Sequence, residues 1–171
     1  VRHRKFPQKL TGKLQDDFCA LFMMPIITGL VTKLYDTDIS RKNEVCFPED
    51  ISFNEDVMFN IQYLRYVESY KIIKEALYNY LRRPSQSLSK NRSEKNFQSV
   101  LKVANALKNF IKDKEVINGD VALTHQCLNY LKWFAITDSG YSAFQNRVSK
   151  IRSILDGMYT IKDNKRATNV W

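Results

Sequence analysis

The sequence predicts an α+β chain that is mostly helical. From Glu94 to Lys114 apolar residues recur at a 3.6-residue period, the spacing of an amphipathic helix. Two further helices are predicted after it. Upstream, two short runs at 70–73 and 76–81 are rich in β-branched and aromatic residues and are predicted to be extended. We therefore expect a mixed segment followed by a three-helix region, divided into residues 1–93 and 94–171.

Local signals in the first half place the helices. Leu14 to Met24 has apolar residues on one side, and Pro25 ends it because proline cannot continue a helix. The segment 26–35 is apolar but interrupted by Thr and Gly, so it has no assignment. Asp36-Thr37-Asp38 is predicted to form a turn. A helix is predicted from about Asn54, a favourable N-cap residue, to Glu68.

The apolar stripes of the last three helices are predicted to form core. The first stripe is Phe97, Val100, Leu101, Ala104, Leu107, Phe110 and Ile111. The second, after a break at Asn118-Gly119-Asp120, is Val121, Leu128, Leu131 and Phe134. The third, after a break at 137–140, is Tyr141, Phe144, Val148, Ile151, Leu155 and Met158.

The composition indicates a folded domain without a disulfide scaffold. The 171 residues are 44% hydrophobic and 26% charged, which suits one domain with a sizeable core and not a disordered chain. The three cysteines have no paired spacing, which favours free thiols in a reducing compartment over a disulfide scaffold or a zinc site. No apolar run is long enough to span a bilayer.

Charge is unevenly distributed along the chain. The net charge is +9, yet residues 36–56 carry seven acids against two bases. Residues 82–114 carry nine bases against two acids. A basic face of this kind attracts nucleic acid, anionic lipid headgroups or phosphorylated substrates, although helix-surface lysines also serve simply as solubilising groups.

Three blocks carry the strongest functional signal. They are Thr32-Lys33-Leu34-Tyr35, then Glu55-Asp56-Val57-Met58-Phe59-Asn60, then Tyr78-Asn79-Tyr80 followed by Arg82, Arg83 and spaced serines. In this order and at these separations the blocks resemble the C-terminal half of bacterial family 2 glycosyltransferases. The resemblance covers residues 26–90. It implies a partial GT-A-type fold and an inverting transfer of sugar from a nucleotide-sugar donor.

The resemblance also implies roles for individual residues. Inverting transfer needs a base that takes the proton of the acceptor hydroxyl, and the matching residue is Asp56. Glu55 would orient it or contact the acceptor. At a helix N-terminus the dipole is expected to favour the ionised form of both. The alternative is that the Glu55-Asp56 pair only caps the helix.

A second group of residues matches the family's phosphate-facing segment. Arg82, Arg83, Ser85 and Ser87 follow the Tyr-x-Tyr block and could stabilise the departing nucleotide diphosphate. Lys33 matches the lysine of the Lys-Leu-Tyr block and could face phosphate or be an ordinary surface lysine.

The sequence also departs from the family. It lacks the N-terminal apolar strand, the nucleotide-binding half and the Asp-x-Asp metal motif. We therefore expect the acceptor-side part of a longer enzyme, inactive by itself, with the divalent metal (Mg or Mn) bound by the missing N-terminal half of the same protein. The implied acceptor is a surface glycan or a lipid-linked saccharide. The implied location is cytoplasmic, with peripheral association at the inner face of the membrane through the basic helices.

Two other classes remain open. One is a basic helical module that binds nucleic acid, supported by the charge of +9 and the lysine-rich segment 94–114. No known nucleic-acid motif is present, and the aromatic residues fall at core spacing. The other is a non-catalytic helical adaptor.

Overall fold

The computed structural model describes residues 9–31, 33–75, 93–135, 141–156 and 158. Within these ranges the chain is mostly helical, with one small two-stranded antiparallel sheet, as the α+β prediction requires. The elements are β1 (Thr11–Lys13), α1 (Leu14–Met23), α2 (Thr37–Lys42), α3 (Glu55–Leu64), β2 (Ser69–Lys71), α4 (Glu94–Asp113), α5 (Gly119–Ala135) and α6 (Tyr141–Leu155).

The sheet joins the start of the described chain to the segment after α3. β1 and β2 pair antiparallel with Gly12 opposite Tyr70. The Leu14 N–H donates to the Glu68 carbonyl at 2.8 Å, which extends the pairing to the start of α1. The extended run predicted at 70–73 is thus confirmed in part, whereas the run at 76–81 lies outside the described residues. β1 was not predicted, because three residues are too few to show a period.

One hydrophobic core cluster takes in both halves of the chain. Its fully buried side chains come from α1, α3, α4, α5 and α6, and include Phe18, Ile61, Phe110, Phe134 and Ile151. The rings of Phe18 and Phe110 lie 4.9 Å apart between centroids, so α1 packs directly on α4. The core is therefore shared across the division expected near residue 93.

The predicted stripe of α4 is confirmed except for Leu101, which is only partly buried, but the stripes of α5 and α6 are partly wrong. On α5, Val121 and Leu128 are about half exposed, and the helix instead buries Ala122, Leu123, Cys127, Tyr130 and Phe134. Apolar residues occur on several sides of α5, so periodicity alone does not select its buried face. On α6, Tyr141 is 77% exposed and burial is limited to Ile151 and Ile154 near the C-terminal end.

The structure also differs in detail from two local predictions. Asp36 makes the expected local hydrogen bond, accepting from the Asp38 N–H at 2.9 Å, but this bond caps α2 instead of closing an isolated turn. Helix α3 ends at Leu64, four residues before the predicted end at Glu68. None of the helices in the described part of the chain combines the length and apolarity that a membrane crossing requires.

Candidate functional site

The first two sequence blocks meet in the structure. The Tyr35 hydroxyl donates to the Asn60 Oδ1 of α3 at 2.6 Å, and the Asp36 N–H donates to the Tyr63 hydroxyl at 2.7 Å. Asn60 is buried, and its Nδ2 also donates to the Thr28 carbonyl at 3.2 Å. A buried amide with both ends paired fixes its neighbours firmly. The segment between α1 and α2 is therefore fastened to one side of α3.

Lys33 is directed into its own loop. Its ammonium donates to the carbonyl oxygens of Ile26 (3.0 Å) and Gly29. Burial lowers the Lys33 pKa to about 8, against the opposing attraction of Asp56. The described contacts of this lysine thus hold the loop together, and the phosphate contact expected for it stays a prediction.

Asp56 is the half-buried carboxylate of the site, whereas Glu55 beside it is exposed. The Val57 N–H donates to Asp56 Oδ1 at 2.8 Å. Burial raises the Asp56 pKa; the Val57 N–H opposes this shift, and the charge of Glu55 adds to it. The sequence predicted that the helix terminus would favour the ionised form, but here desolvation outweighs the N-terminal donors.

Asn54 precedes α3 in the expected N-cap position, but its side chain does not cap the helix. Its backbone adopts the left-handed conformation (φ 62°), and its Nδ2 donates to the Tyr130 hydroxyl of α5 at 3.0 Å. Gln126 also hydrogen-bonds this hydroxyl. Burial raises the pKa of Tyr130, so the phenol stays neutral. The N-terminus of α3 is thereby tied to α5.

Asp56 lines a cleft of about 320 Å³ between the loop after α1, the start of α3 and one face of α5. The lining residues are Phe22, Met23, Pro25, Thr28, Gly29, Asn54, Asp56, Val57, His125, Gln126 and Asn129. They supply a carboxylate, three amide side chains, one hydroxyl and one imidazole over an apolar floor. No lysine or arginine is among these lining residues.

The α5 side of the cleft was not predicted. His125 and Cys127 have the wrong spacing for two metal ligands on one helical face, so the sequence marks no site at His125. Gln126 and Asn129 carry no pattern that marks a site. The only available signal was indirect: the polar residues of α5 recur at positions 125, 126 and 129, which share one side of a helix.

The remaining predicted site residues are not among those that the structure describes. These residues are Arg82, Arg83, Ser85 and Ser87. Among the residues that are described, no cluster of three or more His, Cys, Asp or Glu side chains could hold a metal ion. The exposed lysines of α4 lie away from the cleft, and Lys102 is paired with Asp50 on the surface.

Comparison of the chain with protein-family models, curated proteins and solved structures finds no match.

Proposed function

We propose that this chain is the acceptor-side part of an inverting glycosyltransferase and that Asp56 is its general base. The observation that carries the proposal is the position of Asp56, a half-buried carboxylate on the wall of a cleft. Support also comes from the meeting of the Lys-Leu-Tyr and Glu-Asp-x-x-Phe-Asn blocks, joined by the Tyr35–Asn60 hydrogen bond of 2.6 Å.

The environment of Asp56 suits a base. The Val57 N–H fixes the carboxylate at Oδ1, which orients the group. Burial raises its pKa, and a carboxylate whose pKa is raised accepts a proton more readily than an ordinary surface one. In the proposed step, the acceptor hydroxyl gives its proton to Asp56 while its oxygen bonds to the anomeric carbon. The bond from that carbon to the nucleotide diphosphate breaks, and the electron pair leaves with the diphosphate.

Donor binding is proposed to involve other parts of the enzyme. Arg82, Arg83, Ser85 and Ser87 are assigned to the diphosphate by resemblance alone. The described residues include no group of His, Cys, Asp or Glu side chains that fits a divalent metal. We propose that the metal and the nucleotide bind to an N-terminal half of the enzyme. The proposed acceptor is a surface glycan or lipid-linked saccharide at the inner face of the membrane. Exposed lysines of α4 would favour that location.

The test uses the full reading frame that contains Val1 to Trp171. Release of nucleotide diphosphate and incorporation of sugar are measured with UDP-glucose, UDP-galactose, UDP-N-acetylglucosamine and GDP-mannose, using membranes as the acceptor source. Loss of a general base lowers rates by about 10²–10⁴-fold, so Asp56→Asn should lower transfer by at least about 100-fold. Glu49→Gln, at an exposed position that does not line the cleft, is the control and should retain the wild-type rate.

Two results would contradict the proposal. One is sugar transfer by Asp56→Asn at the wild-type rate. The other is turnover of none of the donors together with nucleic-acid binding that falls steeply with salt and is unchanged by Asp56→Asn. The latter result would favour the basic binding module.

A further inference from the structure

We infer that α5 supplies the acceptor-selecting wall of the Asp56 cleft, through His125, Gln126 and Asn129, and that this wall recognises a neutral saccharide. The inference rests on the proposed function, because it names which element selects the acceptor of the same site. A role in specificity thus falls to α5, for which the sequence predicted only core side chains.

The three side chains form one polar surface. Positions 125, 126 and 129 lie on the same side of a helix, and all three line the cleft that Asp56 also lines. The Asn129 Nδ2 lies 3.3 Å from a ring nitrogen of His125, so these two side chains are already paired with each other. Gln126 is held by the Tyr130 hydroxyl. The wall is therefore arranged before any ligand binds.

The opposite face of α5 makes this wall rigid. Leu123, Cys127 and Phe134 are fully buried in the core, and Tyr130 is 5% exposed. A polar surface carried on a packed helix presents its donors and acceptors at fixed positions, which selective recognition requires. Residues on a surface loop would not be held in this way.

The chemistry of the lining indicates the class of ligand. Diphosphate recognition ordinarily uses arginine, lysine or a metal ion, and the lining residues include no lysine or arginine. Amide side chains both donate and accept hydrogen bonds, as sugar hydroxyls do. Met23 and Pro25, both exposed, add apolar surface for the C–H face of a sugar ring. The cleft thus fits a neutral saccharide and not the phosphates of a donor.

The test is a binding titration of the 171-residue chain, followed by two-dimensional NMR of backbone and side-chain amides. The probes are lactose, maltose, cellobiose and chitobiose, with uridine diphosphate as the charged comparison. At least one disaccharide should shift the side-chain amide signals of Gln126 and Asn129. Asn129→Ala and His125→Ala should each weaken binding by about two- to tenfold, the value of one hydrogen bond. Gln126→Ala is avoided because it would also disturb Tyr130.

Asn105→Ala is the matched control. Asn105 is an exposed asparagine on α4 whose side chain donates to the Leu101 carbonyl, away from the cleft, and its replacement should leave binding unchanged. The inference is overturned if none of the disaccharides binds, if Asn129→Ala and His125→Ala bind as the wild type does, or if uridine diphosphate shifts the same amides. Sugar transfer that depends on Asp56 would still support the proposed function in those cases. Conversely, saccharide binding at α5 in a protein without transferase activity would refute only the proposed function.

Discussion

Replacing Tyr130 by Phe tests the connection between α5 and the start of α3. The change deletes the hydroxyl that accepts from Asn54 Nδ2 at 3.0 Å and also bonds Gln126, and it leaves the ring in place. Leaving a buried polar group unpaired costs about 1–3 kcal/mol. Both amides border the cleft, where water can solvate them, so we expect the low end, about 1 kcal/mol. For a chain of this length, that loss lowers Tm by about 2–4 °C.

The assay is thermal and urea unfolding of Tyr130→Phe beside Tyr141→Phe. Tyr141 is 77% exposed, so its hydroxyl should contribute nothing measurable. A double-mutant cycle with Asn54→Gly then isolates the pair, since glycine tolerates the left-handed backbone of that position (φ 62°) without steric cost. We expect a coupling free energy of about 0.5–1 kcal/mol. If the effects of Tyr130→Phe and Asn54→Gly on the free energy of unfolding were additive, the proposed stabilising contact between α5 and the start of α3 would be refuted.

Three further predictions concern single contacts. Burial lowers the Lys33 pKa from 10.5 to about 8, so the unfolded chain binds more protons than the folded chain between pH 8 and pH 10.5. The free energy of unfolding should therefore rise with pH in that window. Urea unfolding of Lys33→Met at several pH values in the same window should show no such rise. A Cβ on Gly119 would overlap the Ile111 side chain, so Gly119→Ala should cost about 1–3 kcal/mol by urea unfolding, partly relieved by Ile111→Val. The Arg147 guanidinium lies 4.4 and 4.6 Å from two phenylalanine ring centroids. Arg147→Ala should therefore lower the free energy of unfolding by about 1–2 kcal/mol in the same urea measurement. An equal loss in the exposed control Arg152→Ala would count against a stabilising contact between Arg147 and the rings.

The sequence was sufficient to predict most of the helices because their signals are local. Pro25 marks the end of α1, and the regular period of α4 predicts both its bounds and its buried face. The buried face of α5 could not be predicted, since Val121 and Leu128 are as apolar as the residues that the core accepts. Which face is buried depends on where α1, α4 and α6 lie, and single-helix periodicity carries no such information.

The candidate site also contains residues that local sequence signals indicate and residues that they do not. Asp56 and the Lys-Leu-Tyr block could be named as candidates because they belong to short ordered motifs, and the structure brings the two blocks into contact. The role of Asn54 could not be predicted: the residue type favours N-capping, but its amide is used instead by Tyr130, 76 residues away. The α5 wall depends in the same way on contacts between distant segments.

The effect of replacing Asp56 on stability and on activity distinguishes a catalytic carboxylate from one that only caps a helix. An aspartate that only caps a helix is stabilised as an anion, and its replacement lowers stability by about 0.5–2 kcal/mol. Burial instead raises the Asp56 pKa. A raised folded-state pKa means that ionised Asp56 opposes folding: the cost is absent below the ordinary value of 3.8 and complete above the folded-state value. Asp56→Asn should therefore be at least as stable as the wild type at neutral pH, measured by urea unfolding, while transfer is lost. A gain in stability with a loss of activity is typical of a side chain retained for chemistry. A clear loss of stability with unchanged activity would instead assign Asp56 to capping.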